Sequence, residues 1–273
     1  MRTFASYQGN KTRLLKYIIP FVPEFDRYIE PFGGSGAVLL KIEPKTWIYN
    51  DLNQDIYNVF IGTRDSCDTL VEIFKDFGEV FKPMDLVTKK SYCKALTSCI
   101  DTFDTCDINR TAFYMLMCYC VFMGKLLINN EYKFPGLNVK IFSSNKYPFL
   151  KEDYYNNLRM ASMFLKSGDI RLGCYKSVLT ECRVGDFVFL DPPYIEEHNY
   201  KFNYNKNEDL KKSFLDELFE QVTILDSIGV KWMMTQAETG DVLKIFEKYN
   251  IRKVPVYRYS KKMHVNELLI MNY

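Results

Sequence analysis

The sequence predicts an α/β fold, built on a mostly parallel sheet with a mostly helical stretch inserted into it. One observation is the run Phe187-Val188-Phe189-Leu190, four apolar residues closed by Asp191 and two prolines. Such a run is what a strand buried on both faces looks like. A second is the succession of strand, glycine-rich turn and helix from Arg27 to Lys41. The third is the change of character between Asn53 and about Lys166, where long helical patterns replace the α/β alternation.

The elements follow in order. Tyr7-Gln8-Gly9-Asn10-Lys11 is a polar turn, and Leu14, Leu15, Ile18 and Ile19 give helical spacing until Pro20 and Pro23 stop it. Lys11 alone reads equally as a solvated lysine at a helix start. Arg27-Tyr28-Ile29-Glu30 predicts a strand, Pro31-Phe32-Gly33-Gly34-Ser35-Gly36 a tight turn, and Ala37 the start of a helix. That arrangement presents backbone N–H groups and a positive dipole end to a ligand. It fits neither the G-x-G-x-x-G fingerprint nor the P-loop. Thr46 to Asn50 predicts a second strand ending at Asp51, 18 residues after Gly33, near the ~20-residue offset at which an acid reaches ribose hydroxyls in doubly wound folds. A glycine loop and an acid at successive strand ends point to an adenosine-containing cofactor.

Helices are predicted over 66–80, 88–100 and 109–123, then a hairpin over 125–136 with Asn129-Asn130 near its tip. Lysines and tyrosines alternate through 125–147, which suits a surface meeting phosphates and bases and equally suits a solvated hairpin. Asp169 to Tyr175 predicts a strand ending in an aromatic. After the 186–190 strand come a polar loop over 196–207 and a helix over 209–228, with Leu210, Phe214, Leu218 and Val222 on one face. A strand over 230–234, a helix over 239–249, and strands over 253–259 and 267–271 close the chain. A basic turn, Ser260-Lys261-Lys262-Met263-His264, joins the last two.

Composition narrows the function classes. Hydrophobic residues make up 47% and charged residues 26% of 273, enough for an ample core. A net charge of +2 leaves nucleic acid open, since a basic stripe can sit inside a balanced total. Eight cysteines contain no CxxC, and His198 and His264 are the only histidines, so no structural metal is expected. Both histidines read as surface residues, and Cys118 and Cys120 as buried thiols. No signal core and no ~20-residue apolar span is present; the expectation is a cytoplasmic protein in a reducing compartment, with no membrane partner.

Asp191-Pro192-Pro193-Tyr194 carries the chemistry. It stands where a buried strand ends, and there open α/β sheets bind their ligands. A carboxylate beside the rigid Pro192 carbonyl offers two acceptors to one NH2 group. The Tyr194 ring offers a face for a planar base, although in isolation it reads equally as rim packing.

Together these stretches resemble the DNA adenine-N6 methyltransferases of the Dam type, over nearly the whole chain. Tyr7-Gln8-Gly9-Asn10-Lys11 is similar to the family's N-terminal cofactor motif, and Glu30 to Gly36 to its S-adenosylmethionine loop. Asn50-Asp51-Leu52-Asn53 resembles the ribose-binding strand end, Asp191 to Tyr194 the catalytic motif, and Val265 to Ile270 the closing strand. The resemblance implies a Rossmann-like S-adenosylmethionine-dependent methyltransferase fold. Residues 1–59 and 167–273 would form the catalytic domain, and 60–166 a mostly helical target-recognition domain inserted before the catalytic motif. It implies Asp191, Pro192, Pro193 and Tyr194 as catalytic residues. It implies cofactor contacts at Tyr7, Gly9, Lys11, Pro31, Phe32, Gly33, Gly34, Ser35, Gly36, Asp51, Leu52, Tyr175 and Asp191. The implied reaction is methyl transfer from S-adenosylmethionine to N6 of an adenine flipped out of double-stranded DNA, as in restriction–modification.

A hairpin over 124–146 would contact DNA through Lys125, Asn129, Asn130, Lys133, Lys140 and Lys146. Thr235-Gln236 stands where the family usually has Ser-Asn. Leu127 stands where GATC-specific members carry arginine, the commonest bidentate reader of guanine, which argues against GATC. Tyr132-Lys133-Phe134-Pro135 replaces their Phe-Asn-Val-Pro, and the basic loop before Val265 is short. Methylation of RNA adenine or of a glutamine-like amide, and a catalytically silent DNA-binding relative, are the alternatives. Oligomeric state is left open.

Overall fold

A computed structural model describes the chain except residues 8, 122–125, 129–130, 139–140, 143–145, 195–207 and 259–262, and the side chains of 127–128, 131, 208–213 and 258. Its strands are β1 (Arg27–Glu30), β2 (Trp47–Asp51), β3 (Leu127–Ile128), β4 (Glu131–Tyr132), β5 (Asp169–Leu172), β6 (Asp186–Leu190), β7 (Lys231–Ala237), β8 (Asn250–Arg258) and β9 (Met263–Met271). The α-helices are α1 (Leu15–Ile18), α2 (Leu39–Ile42), α3 (Gln54–Asp65), α4 (Cys67–Phe81), α5 (Leu86–Cys99), α6 (Ile108–Cys120), α7 (Glu152–Leu165), α8 (Tyr175–Leu179), α9 (Glu208–Ser227) and α10 (Gly240–Ile245).

The chain divides into two compact units. One comprises Met1–Arg13, Gly34–Glu43 and Asp51–Leu172; the other comprises Leu14–Gly33, Pro44–Asn50 and Gly173–Tyr273. Seven strands make one sheet, in the order β5-β2-β1-β6-β7-β9-β8. β1 runs parallel to both β2 and β6, and β6 parallel to β7, whereas β9 is antiparallel to β7 and β8. This is the predicted α/β architecture.

All five residues of β6 are buried, as an apolar run inside a parallel sheet requires. Ile29, Val188, Leu190, Trp232, Met234, Leu268 and Ile270 pack with Leu215, Leu218, Val222 and Leu225 of α9. In the other unit α3, α4, α6 and α7 bury Phe60, Leu70, Phe74, Leu116 and Leu158 completely. Polar side chains cap these helices. Asn53 Oδ1 accepts from the N–H groups of Asp55 and Ile56, and Asp85 and Asp107 cap α5 and α6 in the same way.

Three expectations are corrected. Tyr175 opens α8 instead of closing a strand, because the strand stops at Leu172, before Gly173 and Cys174; a glycine weakens a strand at that point. The closing strands are longer than predicted. Met263 and His264 pair with Arg258 and Tyr257, so they belong to β9 and not to a turn. The helix after Thr239 ends at Ile245 instead of 249.

Candidate active site

β1 and β6 are parallel neighbours with Ile29 opposite Val188. Pro31-Phe32-Gly33 and Asp191-Pro192-Pro193-Tyr194 therefore leave adjacent strands at their carboxyl ends. The strand order also reverses between β1 and β6, which is the place where open α/β sheets bind ligands.

Asp191 is half-buried, and its Oδ1 accepts from the Thr235 hydroxyl of β7 at 2.6 Å. Thr235 is fully buried, so this bond holds one oxygen of the carboxylate. The Tyr194 hydroxyl donates to Glu267 Oε2 of β9 at 2.7 Å. Desolvation, then the Asp191 and Glu267 carboxylates, push the pKa of that hydroxyl up, so it stays a donor. Gln236 Nε2 reaches the Pro193 carbonyl at 3.5 Å. Pro192 is buried and Pro193 exposed.

In the same unit an aromatic wall forms beside the glycine turn. Phe32 stacks on Tyr175 with centroids 4.7 Å apart, and Phe214 meets Tyr175 edge-on. The Tyr175 hydroxyl donates to Glu217 Oε1 at 2.5 Å. Asn50, almost fully buried, donates through Nδ2 to the carbonyls of Pro31 (2.9 Å) and Gly173 (3.0 Å), while its backbone carbonyl accepts from Gly33 N–H at 2.7 Å. One amide thus ties the glycine turn to the backbone leading into Tyr175. At Gly33 a Cβ would lie 2.1 Å from the buried Tyr49 ring, so the close backbone approach there needs glycine.

The other unit gathers the remaining cofactor candidates. Asp51 Oδ2 accepts from Gly34 N–H at 2.7 Å and Oδ1 from Asn53 N–H at 2.8 Å. Asn53 Nδ2 reaches the Tyr7 hydroxyl at 3.4 Å. The Tyr7 ring lies 3.4 Å from where a Gly34 Cβ would sit. Burial and the Asp51 charge raise the pKa of the Tyr7 hydroxyl. Lys11 is buried, with Nζ donating to the Gly9 carbonyl at 2.9 Å. Ser35 and Gly36 are buried, Gly9 is exposed, and Leu52 is 58% exposed.

These residues fit S-adenosylmethionine. Asp51 is an oriented carboxylate of the kind that takes ribose hydroxyls. Gly34 and Gly36 turn the loop at φ 50° and 61°; in the other unit the Phe32–Tyr175 pair offers an aromatic face of the kind on which a planar base stacks. Asp51→Ala is expected to weaken cofactor binding about 10- to 100-fold, since a hydrogen bond to a charged group contributes ~1.5–3 kcal/mol. Calorimetric titration checks it; an unchanged dissociation constant contradicts the role.

The DNA candidates are only partly placed. β3 and β4 form the predicted antiparallel hairpin, with Leu127 opposite Tyr132. Lys133 follows it directly and is exposed, as is Lys146. Lys125, Asn129, Asn130 and Lys140, like the 196–207 loop with His198, lie outside the described residues. Among the described residues no cluster could hold a metal ion, and no helix is long and apolar enough to cross a membrane. All eight cysteines are free thiols, Cys118 and Cys120 both buried.

Sequence reading had missed the supports: Thr235 behind Asp191, Glu267 behind Tyr194, Glu217 behind Tyr175. The Thr235-Gln236 position was a faint signal for the first of them.

Residues 7–259 match the family described as D12 class N6 adenine-specific DNA methyltransferase. The chain is 26% identical to Type II methyltransferase M1.LlaDCHI of Lactococcus lactis subsp. cremoris, over 100% of this chain and 96% of that protein. It is 27% identical to Type II methyltransferase M.MjaIII of Methanocaldococcus jannaschii, over 100% and 99%. It is also 24% identical to the DNA adenine methylase of Haemophilus influenzae, over 98% and 92%.

Proposed function

Because this chain belongs to the D12 class N6 adenine-specific DNA methyltransferase family, we propose that Asp191-Pro192-Pro193-Tyr194 is the place where it methylates adenine. The chain is an adenine-specific DNA methyltransferase dependent on S-adenosylmethionine. The observation that carries the residue assignment is topological. Asp191 and the Pro31–Gly33 turn leave adjacent parallel strands, and Thr235 holds the Asp191 carboxylate.

S-adenosylmethionine, when bound, supplies an electrophilic methyl group. Asp51, the Tyr7 side chain and the 34–36 part of the glycine turn in one unit, and Phe32 and Tyr175 in the other, are assigned here as its contacts. Lys11, Gly9 and Leu52 are assigned as further contacts. The N6 lone pair of adenine is delocalised into the ring, so N6 is a poor nucleophile. The Asp191 carboxylate and the Pro192 carbonyl accept hydrogen bonds from its two N–H groups and favour a pyramidal nitrogen. As the N–CH3 bond would form and the donor's S–CH3 bond break, the nitrogen would give up one proton, to Asp191 or to solvent. Orientation and electrostatic stabilisation do most of this work. Tyr194, its hydroxyl tethered to Glu267, stacks the base that double-stranded DNA flips out.

Residues 60–166 are proposed as the target-recognition domain, inserted between the two parts of a catalytic domain (1–59 and 167–273). Its hairpin over 124–146 meets DNA through Lys125, Asn129, Asn130, Lys133, Lys140 and Lys146. The Type II names of the two full-length relatives support a restriction–modification context, with the DNA substrate met inside the cell.

Transfer of labelled methyl from S-adenosylmethionine to unmethylated duplex DNA tests the reading. Lys133→Ala and Lys146→Ala are expected to weaken binding to all sequences alike. Each should also flatten the salt dependence by about one unit of slope. Label entering RNA and not DNA overturns the substrate. Unchanged salt slopes overturn the hairpin.

A further inference from the structure

Tyr132 closes the β3–β4 hairpin, and its side chain ends on a buried ion pair. Asp55, in the first turn of α3, and Arg110, on α6, are 3.2 Å apart with side chains 8% and 9% exposed. Arg110 NH1 donates to the Ile100 carbonyl at 2.8 Å, and NH2 donates to the Tyr132 hydroxyl at 2.9 Å. That hydroxyl in turn donates to Asp55 Oδ2. Desolvation, then its bond to Asp55, raise the hydroxyl's pKa, so it remains protonated and the ring of bonds stays closed. Three segments distant in sequence meet at this one hydroxyl.

A buried ion pair is a poor source of net stability, and its best-attested use is to select one arrangement among several. Here the arrangement selected is the seat of the hairpin. Asp55 also lies two residues after Asn53, whose side chain caps α3 and accepts from the Asp55 N–H.

We infer that Tyr132 is a specificity-positioning residue: its hydroxyl, bridging Asp55 and Arg110, seats the β3–β4 hairpin for sequence-selective contact with DNA. This rests on the reading of the hairpin as the DNA-contacting element.

The test compares the wild-type chain with Tyr132→Phe and Lys133→Ala, using unmethylated bacterial genomic DNA and labelled S-adenosylmethionine. Tyr132→Phe keeps the ring and removes only the bridge. It is expected to raise the KM for DNA about tenfold or more. Sequencing of modified bases should show methylation spreading to sites one base removed from the wild-type site, with cofactor affinity within about twofold of wild type. A purely structural role would lower the thermal midpoint without moving site preference. Unchanged KM and site preference in Tyr132→Phe overturn the inference. If Lys133→Ala still weakens DNA binding in that case, the hairpin reading survives; if neither variant changes anything, both fall. Cofactor titration shows that each variant is folded.

Discussion

Asp191→Ala is expected to abolish methyl transfer while leaving a folded protein. The side chain is half-buried at a strand end and does not belong to the packed core. On the proposed role its loss removes an acceptor for the substrate amine, so the cost falls on the chemical step. Removing one oriented electrostatic partner of a reacting group typically costs ~10²–10³ in kcat. On the proposed role, in which Asp191 both orients N6 and supplies negative charge, the loss should reach or exceed that range. It also leaves the buried Thr235 hydroxyl without this acceptor, so a small fall in stability, ~1–3 kcal/mol, accompanies it. Single-turnover kinetics together with calorimetry separate the two effects. Normal turnover in a folded Asp191→Ala protein refutes the assignment.

Asp186→Ala is expected to destabilise the sheet strongly. Asp186 and Arg27 stand opposite each other where β6 and β1 begin. Arg27 Nε and NH2 donate to the two carboxylate oxygens at 3.0 and 2.6 Å, and Arg183 N–H adds a third bond at 2.9 Å. The Asp186 side chain is 1% exposed and that of Arg27 16%. Removing one member of such a pair leaves an uncompensated charge and costs ~3–5 kcal/mol. At roughly 2–4 °C per kcal/mol for a chain of this size, the unfolding midpoint should fall by about 10 °C. The contrast is the Arg64–Asp65 pair, more open to water at 29% and 48%, where Asp65→Ala should change stability by less than ~1 kcal/mol. Comparable midpoints for the two variants contradict the reading of Arg27–Asp186 as a buried clamp.

The parts of the site that were legible in the sequence are those in which chemistry and local geometry share one short stretch. The β6 run announces a buried strand, its two prolines end it, and Asp191 is thereby placed. Asp51 and the turn over 31–36 were placed by the same reasoning. The supports were not legible, because they depend on which strands pair and in what register. Glu267 reaches Tyr194 from β9, where it stands opposite Ala237 of β7, and nothing local to residue 267 says so. Thr235 reads as one more residue of a buried strand until β7 is set beside β6. Asp55 reads as an ordinary acid in the first turn of a helix, until Arg110 and Tyr132 close on it. Polar Lys261-Lys262 suggested a turn running through His264, whereas pairing carries β9 back to Met263. Cross-strand hydrogen bonds override local polarity there.

The most direct test is sequencing of modified bases in DNA from methylation-deficient cells expressing this chain, with the Asp191→Ala chain as control. The expected result is N6-methyladenine at one short sequence throughout the genome in the first culture and none in the second. Absence of N6-methyladenine from the first culture, or equal methylation in both, would contradict adenine methylation at Asp191.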